Sequence, residues 1–360
     1  MLNRLLSHDL PRSRLLALLL VLIVLGLALT PFIFPGTKAL NVAAKVIVFI
    51  VLAASFDLLL GYTGIVSFAQ TMFFGIGAYG VAIASATVGP TWGALAIGVS
   101  LALVVSLVLS LLIGLFSLRV KAIFFAMITL AVASAFLTLA SQLSEMTGGE
   151  DGLNFKLPEA LRPGTAYLDQ PLLGATVDGR FVTYYVLFFA ALALVLMLLR
   201  IVNSPFGRVL QAIRENDFRA EAIGYRTVVY RTTASVLSAM FATLAGVLLA
   251  VWLGYNGPDT TLSFEIMLDV LLIVVIGGMG TVYGAVIGSV LLVGAQNYLQ
   301  DLMKLGASLV RDVPVISQLV SPDRWLLWLG ILFVICVYHF PSGVVGRLRA
   351  RSSVDERNTP

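Results

Sequence analysis

The chain is built around apolar runs of about 20 residues with little or no charge, the length that the hydrocarbon core of a bilayer asks of a helix. Ten runs can be traced, at roughly 15–34, 42–60, 64–86, 92–117, 122–140, 181–199, 232–253, 264–278, 281–299 and 325–340. Together with 59% hydrophobic and 12% charged residues and a mean hydropathy of +0.99, they exclude a water-soluble globule. The expected fold is an all-α polytopic membrane protein with about ten transmembrane helices. The first run is longer than the ~7–15 apolar residues of a signal peptide. No small-x-small cleavage site follows it before Lys38, so it reads as a span. Glycines interrupt 64–86 and 281–299, which fit either clean spans or broken, re-entrant helices.

Positive residues in short loops stay cytoplasmic, and this rule orients the chain. Starting inside with Arg4, Arg12 and Arg14, ten crossings place Arg119 and Lys121, the block 200–231, and Arg347, Arg349 and Arg351 on the cytoplasmic side. The expected organisation is a cytoplasmic N-terminus (1–14), a membrane domain (15–345) and a cytoplasmic tail (346–360). The loop 141–180 falls outside, where Glu145, Glu150, Asp151, Glu159, Asp169 and Asp178 outnumber Lys156, Arg162 and Arg180. The segment 300–323, with Asp301, Lys304, Arg311 and Asp312, reads as an amphipathic piece along the outer interface.

Little in the composition supports chemistry. The single cysteine, Cys336, lies in the last apolar run, so an intrachain disulfide is impossible, and neither His8 nor His339 has a Cys, Asp or Glu at metal-ligand spacing. No Gly-Lys dipeptide occurs, hence no phosphate-binding G-x-x-x-x-G-K-[ST] loop, and there is no H-E-x-x-H or catalytic triad pattern. A non-catalytic chain without its own cofactor or metal is expected, and nothing points to nucleic acid.

The charged block Ser204–Arg226 stands out against this background. Ser204 suits an N-cap and Pro205 the first helical position. Phe206, Val209, Leu210 and Ile213 then repeat at i, i+3, i+4 and i+7 as an apolar stripe. Asn216 and Asp217 interrupt the pattern, Asp217 can cap a second short helix over 218–223, and Gly224 offers a left-handed stop. Glu215 and Arg219 are spaced i, i+4 for an ion pair. Such a block is either an interfacial helix under the positive-inside rule or a rigid cytoplasmic surface presented to another protein.

Four motifs give the chain a family resemblance. They are G-Y-T-G-I-V-S-F-A-Q-T-M-F-F-G-I-G-A-Y (61–79), T-G-G-E-D-G-L (147–153), the block 204–226, and G-G-M-G-T-V-Y-G-A-V-I-G (277–288). In this order and spacing they resemble the permease subunits of bacterial branched-chain amino acid ABC importers, specifically the LivM-type member of the pair. Ala69-Gln70 stands where that family commonly has Gly-His, Ala285 where Pro is common and Asp57 where Asn is common.

The resemblance implies an inner-membrane subunit that forms half of a pore with a sister permease. Two cytoplasmic ATPases would bind ATP and Mg, and an extracytoplasmic binding protein would deliver the solute. It implies ATPase contacts at Arg214, Glu215, Glu221, Ala222 and Gly224, and binding-protein docking at Gly148, Gly149 and Asp151. Glycine-rich segments that can unwind within the membrane place the expected translocation path along Asp57, Gly61, Gly64, Ser67, Gln70, Phe74, Gly75, Tyr79, Gly277, Gly278 and Gly280. The same glycines serve equally as helix-packing positions. Asp57, a carboxylate within a span, either contacts a substrate ammonium or accepts hydrogen bonds from a neighbouring helix. Related permeases carry urea or short amides, so the solute has an alternative. An ion-coupled carrier using Asp57 and Asp269 is the alternative of another class.

Overall fold

A computed structural model of the chain describes residues 13–34, 36–117, 122–167, 177–309, 324–340 and 343–348. Arg119, Lys121, Arg311, Asp312, most of the N-terminus and the tail beyond 348 lie outside the described residues. The long helices are α1 (Arg14–Ile33), α2 (Thr37–Thr63), α3 (Gln70–Thr87), α4 (Trp92–Ser117) and α5 (Ala122–Gln142). A short α6 (Ser144–Thr147) precedes α7 (Gly179–Val202), which leads into the two short helices α8 (Pro205–Glu215) and α9 (Asp217–Ala222). The chain continues through α10 (Thr227–Leu253), α11 (Pro258–Thr261), α12 (Phe264–Gly277), α13 (Val282–Leu309) and α14 (Trp325–His339).

Among the described residues nine helices are long and apolar enough to cross a membrane, and the chain is an all-α, multi-pass membrane protein. The tenth expected span, α3, is not one of the nine. Its 18 residues are diluted by Gln70, Thr71 and three glycines, and it packs between α2, α4 and α10. The two glycine-rich runs, each open to a clean or a broken helix from sequence, both contain one unbroken helix. Residues 64–69 are non-helical, so α3 begins at Gln70 and then runs unbroken past Gly75, Gly77 and Gly80. The run at 281–299 is the front of a 28-residue helix, α13, which also absorbs 300–309 in place of a separate interfacial piece.

The helices sort into a buried centre and a ring. In α2, 94% of the apolar window is buried, against 17% in α1, whose Leu18, Val21, Leu22 and Leu25 face outward. With lipid on the outside, hydrophobicity does not separate these classes, and close packing and interhelical hydrogen bonds hold the centre together. Phe74 and Thr243 show how close that packing is. A Cβ on Gly77 would lie 1.9 Å from the Thr243 carbonyl oxygen, and one on Gly246 would lie 1.8 Å from that of Phe74, so α3 and α10 touch backbone to backbone.

Long-range contacts define two ends. At one lie α8, α9, the α2–α3 break, the α12–α13 turn and residues 343–348, with Val345 buried. At the opposite end Leu153–Asn154 pairs antiparallel with Tyr255–Asn256, Lys38 forms an ion pair with Asp301, and Arg180 Nη2 donates to Asn41 Oδ1 at 2.7 Å.

Candidate functional site

The block 204–226 folds as two short helices, as its spacing predicts, with corrections at their junction. Ser204 caps α8 by accepting from the Gly207 N–H at 3.5 Å, and Pro205 takes the first turn. Leu210 and Ile213 are buried, and Phe206 stacks on Tyr230 of α10 with ring centroids 5.7 Å apart. The second cap is Asn216, whose Oδ1 accepts from the Arg219 N–H at 2.9 Å, and not Asp217. Asp217 lies inside α9 and its carboxylate meets Arg231 of α10 at 2.8 Å. Because the chain turns through extended backbone at Asn216, residues 215 and 219 do not share one helix, and no Glu215–Arg219 pair is among the ion pairs of the described residues.

The outer face of this unit is open. Glu215, Ala222 and Gly224 are exposed, and Gly224 has φ +97° with open space where a Cβ would go. Glu221 is tied back, accepting from Thr227 Oγ1 at 2.6 Å. Beside these polar positions stand Phe218 (83% exposed) and Ile223 (68% exposed), two large apolar side chains that the stripe in α8 does not include. Sequence reading missed them because they follow the junction, where the helical period restarts.

Arg214 is also exposed, and its guanidinium donates to the Gly61 carbonyl oxygen, so α8 is hydrogen-bonded to the last turn of α2. Gly61 has no room for a side chain, since its Cβ would meet Asp57 Oδ1 at 2.1 Å and the Gly280 nitrogen at 2.3 Å. Asp57 itself is buried and accepts from the Gly280 N–H at 2.8 Å, which makes it a hydrogen-bond acceptor for the neighbouring turn. Gly278 and Gly280 have φ +118° and +81°, and Thr281 Oγ1 caps the start of α13 by accepting from the Gly284 N–H. A carboxylate ahead of a helix N-terminus also complements the helix dipole. Three otherwise separate pieces, the α8 helix, the end of α2 and the turn before α13, therefore meet at Arg214, Gly61, Asp57 and Gly280.

The other expected path residues lie within the packing. Gly64 is the left-handed cap of α2 (φ +73°), and a Cβ on Gly75 would strike Leu262. Gln70 Nε2 donates to Ser55 Oγ at 2.6 Å and to Ser238 Oγ at 3.2 Å, and Ser238 donates to the Ser55 carbonyl, which links α2, α3 and α10. Ser67, Phe74 and Tyr79 are buried, and Gly277 packs on the Gly284 backbone. At the opposite end Thr147 Oγ1 donates to the Ala140 carbonyl at 2.6 Å, and Gly148 and Gly149 carry φ of +76° and +64°. Asp151 is exposed, and its carbonyl accepts from the Tyr255 hydroxyl.

A cavity of about 720 Å³ opens at that end between α2, α10, α12 and α13, and none of the expected path residues lines it. Asp57 and Asp269 are not brought together. Asp269 lies in the cavity wall, eight residues or about 12 Å along α12 from the turn that Asp57 holds. Among the described residues no group of three or more His, Cys, Asp or Glu could hold a metal.

Residues 38–337 match the family model described as "Branched-chain amino acid transport system / permease component". The chain is 27% identical over 322 residues to the high-affinity branched-chain amino acid transport system permease protein LivM of Salmonella typhimurium, covering 86% of this chain and 74% of that protein. The corresponding LivM of Escherichia coli is 26% identical over the same shares. A probable LivM of Methanocaldococcus jannaschii is 25% identical over 70% of this chain and 68% of its own length. No solved structure matches.

Proposed function

We infer, because the chain belongs to the family of branched-chain amino acid transport permease components, that it is the membrane subunit of an ATP-driven importer for hydrophobic amino acids in a bacterial inner membrane. The observation that carries this reading is the exposed two-helix block held to the membrane core through Arg214 and Gly61. Cytoplasmic ATPases dock on its outer face, around Arg214, Glu215, Glu221, Ala222 and Gly224, and Arg214 also ties the block to the end of α2. ATP and Mg sit in those ATPases. A sister permease completes the pore, and a solute-binding protein docks on the opposite end near Gly148, Gly149 and Asp151.

The mechanism follows from the junction. Closure of the ATPases pushes on α8 and α9, and Arg214 passes that displacement to the end of α2. Asp57 passes it on to the turn before α13, because it is hydrogen-bonded to Gly280. Two helices that end in glycine turns then tilt together and alternate the access of the pore. An ion-coupled carrier would leave an exposed, capped, basic block without a task.

The test is co-purification of the ATPases with the Gly224→Asp variant. The exposed left-handed position tolerates Asp at a cost of about 1–2 kcal/mol, so the chain still inserts, but the added charge blocks close approach by the partner. Loss of the ATPases from an otherwise intact membrane assembly is the expected result. Undiminished co-purification would refute the docking assignment.

A further inference from the structure

We propose that the 720 Å³ cavity between α2, α10, α12 and α13 is a transient binding site for a zwitterionic amino acid with an apolar side chain, resting on the importer reading above. Lys45 and Asp269 both line it, from different helices. Counted along their helices, they lie about 12 Å and 7.5 Å in from the ends Thr37 and Phe264. Ionisable side chains at such depth are costly to insert and are paired or functional by default.

No ion pair among the described residues joins Lys45 to Asp269 or to any other carboxylate. The Lys45 ammonium instead sits 5.3 Å from the centroid of the Phe49 ring, and Asp269 Oδ1 accepts from Gln296 Nε2 at 2.7 Å. Each charge thus has a neutral group as its direct contact. An ammonium and a carboxylate lining one cavity from different helices match the carboxylate and ammonium of one amino acid.

Part of the wall suits an aliphatic side chain, beside the polar Lys38, Asn41, Asp259, Thr260 and Asn297. Phe49, Leu249, Ile266 and Trp252 supply apolar surface. Trp252 is fixed, since its Nε1 donates to Asn41 Oδ1 at 3.2 Å and Arg180 stacks over its ring at 5.2 Å. The volume lies within the range of about 300–1,000 Å³ that small-molecule sites occupy. The cavity opens at the end away from α8, where solute released by a binding protein would enter.

Two measurements on the reconstituted complex, with its ATPases and binding protein, test the site. Lys45→Met and Asp269→Asn each remove a charge from a span, so membrane insertion is retained. Each should lower ATP-driven leucine uptake by about tenfold or more, and Lys45→Arg should restore most of it. Wild-type uptake that both neutral variants match would overturn the site and leave the importer reading intact; absence of ATP-driven uptake by the wild type would overturn both.

The second measurement is direct. In a Cys336→Ser background, Thr260→Cys at the cavity wall is labelled with a membrane-impermeant maleimide. Millimolar leucine should slow labelling. Leucinamide and 4-methylpentanoate, each lacking one of the two charges, should not. Equal protection by all three, or by none, would refute recognition of a zwitterion.

Discussion

Replacing Gly77 by alanine adds one methyl group and should still be among the more damaging single changes in the membrane domain. The added Cβ would lie 1.9 Å from the Thr243 carbonyl oxygen, 2.7 Å from its carbon and 3.1 Å from its Cα, all of them backbone atoms that no rotamer change can move. Ordinary contact begins near 3.4 Å, so α3 and α10 must part by about 1.5 Å. Overpacking of this kind costs roughly 1–3 kcal/mol. A rigid backbone neighbour puts the cost at the upper end, about 3 kcal/mol, and alanine's better helix propensity returns about 1 kcal/mol. The net loss is about 2 kcal/mol, or roughly thirtyfold in the folded-to-unfolded ratio. Gly294→Ala is the matched control, because nothing lies within 4 Å of its Cβ in the interior of α13. The propensity gain there stands alone and should stabilise by up to about 1 kcal/mol. Thermal unfolding of the two purified variants, followed by size-exclusion chromatography of the soluble fraction, should move the midpoint in opposite directions. Equal midpoints, or a more stable Gly77→Ala, would refute backbone contact between α3 and α10.

Other perturbations probe the block and the junction behind it. Asp57→Asn keeps an oxygen to accept from Gly280 N–H and should retain assembly, whereas Asp57→Ala leaves a buried donor unmet at a cost of about 1–3 kcal/mol. Comparing thermal midpoints of the two variants checks this, and equal stability would mean that the hydrogen bond contributes nothing. Phe218→Ser removes an exposed side chain and should change stability by no more than about 0.5 kcal/mol. It should weaken ATPase co-purification, and full retention would remove Phe218 from the docking face.

Much of the fold was legible because its signals are local. The run 92–117 matches α4, the stripe 206–213 folds as α8, and Gly224 takes the left-handed conformation expected of a stop. What was not legible depends on residues far apart in the chain. Asn216 and Asp217 can both cap a helix, and only the packing of Arg231 against α9 decides between them. Hydropathy alone does not tell the buried α2 from the peripheral α1, since lipid and protein interior are equally apolar. The partner of Asp57 is 223 residues away, and the cavity that joins Lys45 to Asp269 spans a similar separation. Gln70 and Ser67 carry motif positions, yet their neighbours are the helices of the core, a placement that no spacing rule specifies.

Uptake by proteoliposomes holding the co-expressed complex tests the importer reading most directly, with labelled leucine and labelled urea offered in parallel, each with its binding protein and with ATP inside. ATP-dependent entry of leucine is the predicted result. Urea entry alone would keep the architecture and replace the solute, while leucine entry that ignores ATP and collapses with an uncoupler would contradict the importer and return the chain to the class of ion-coupled carriers.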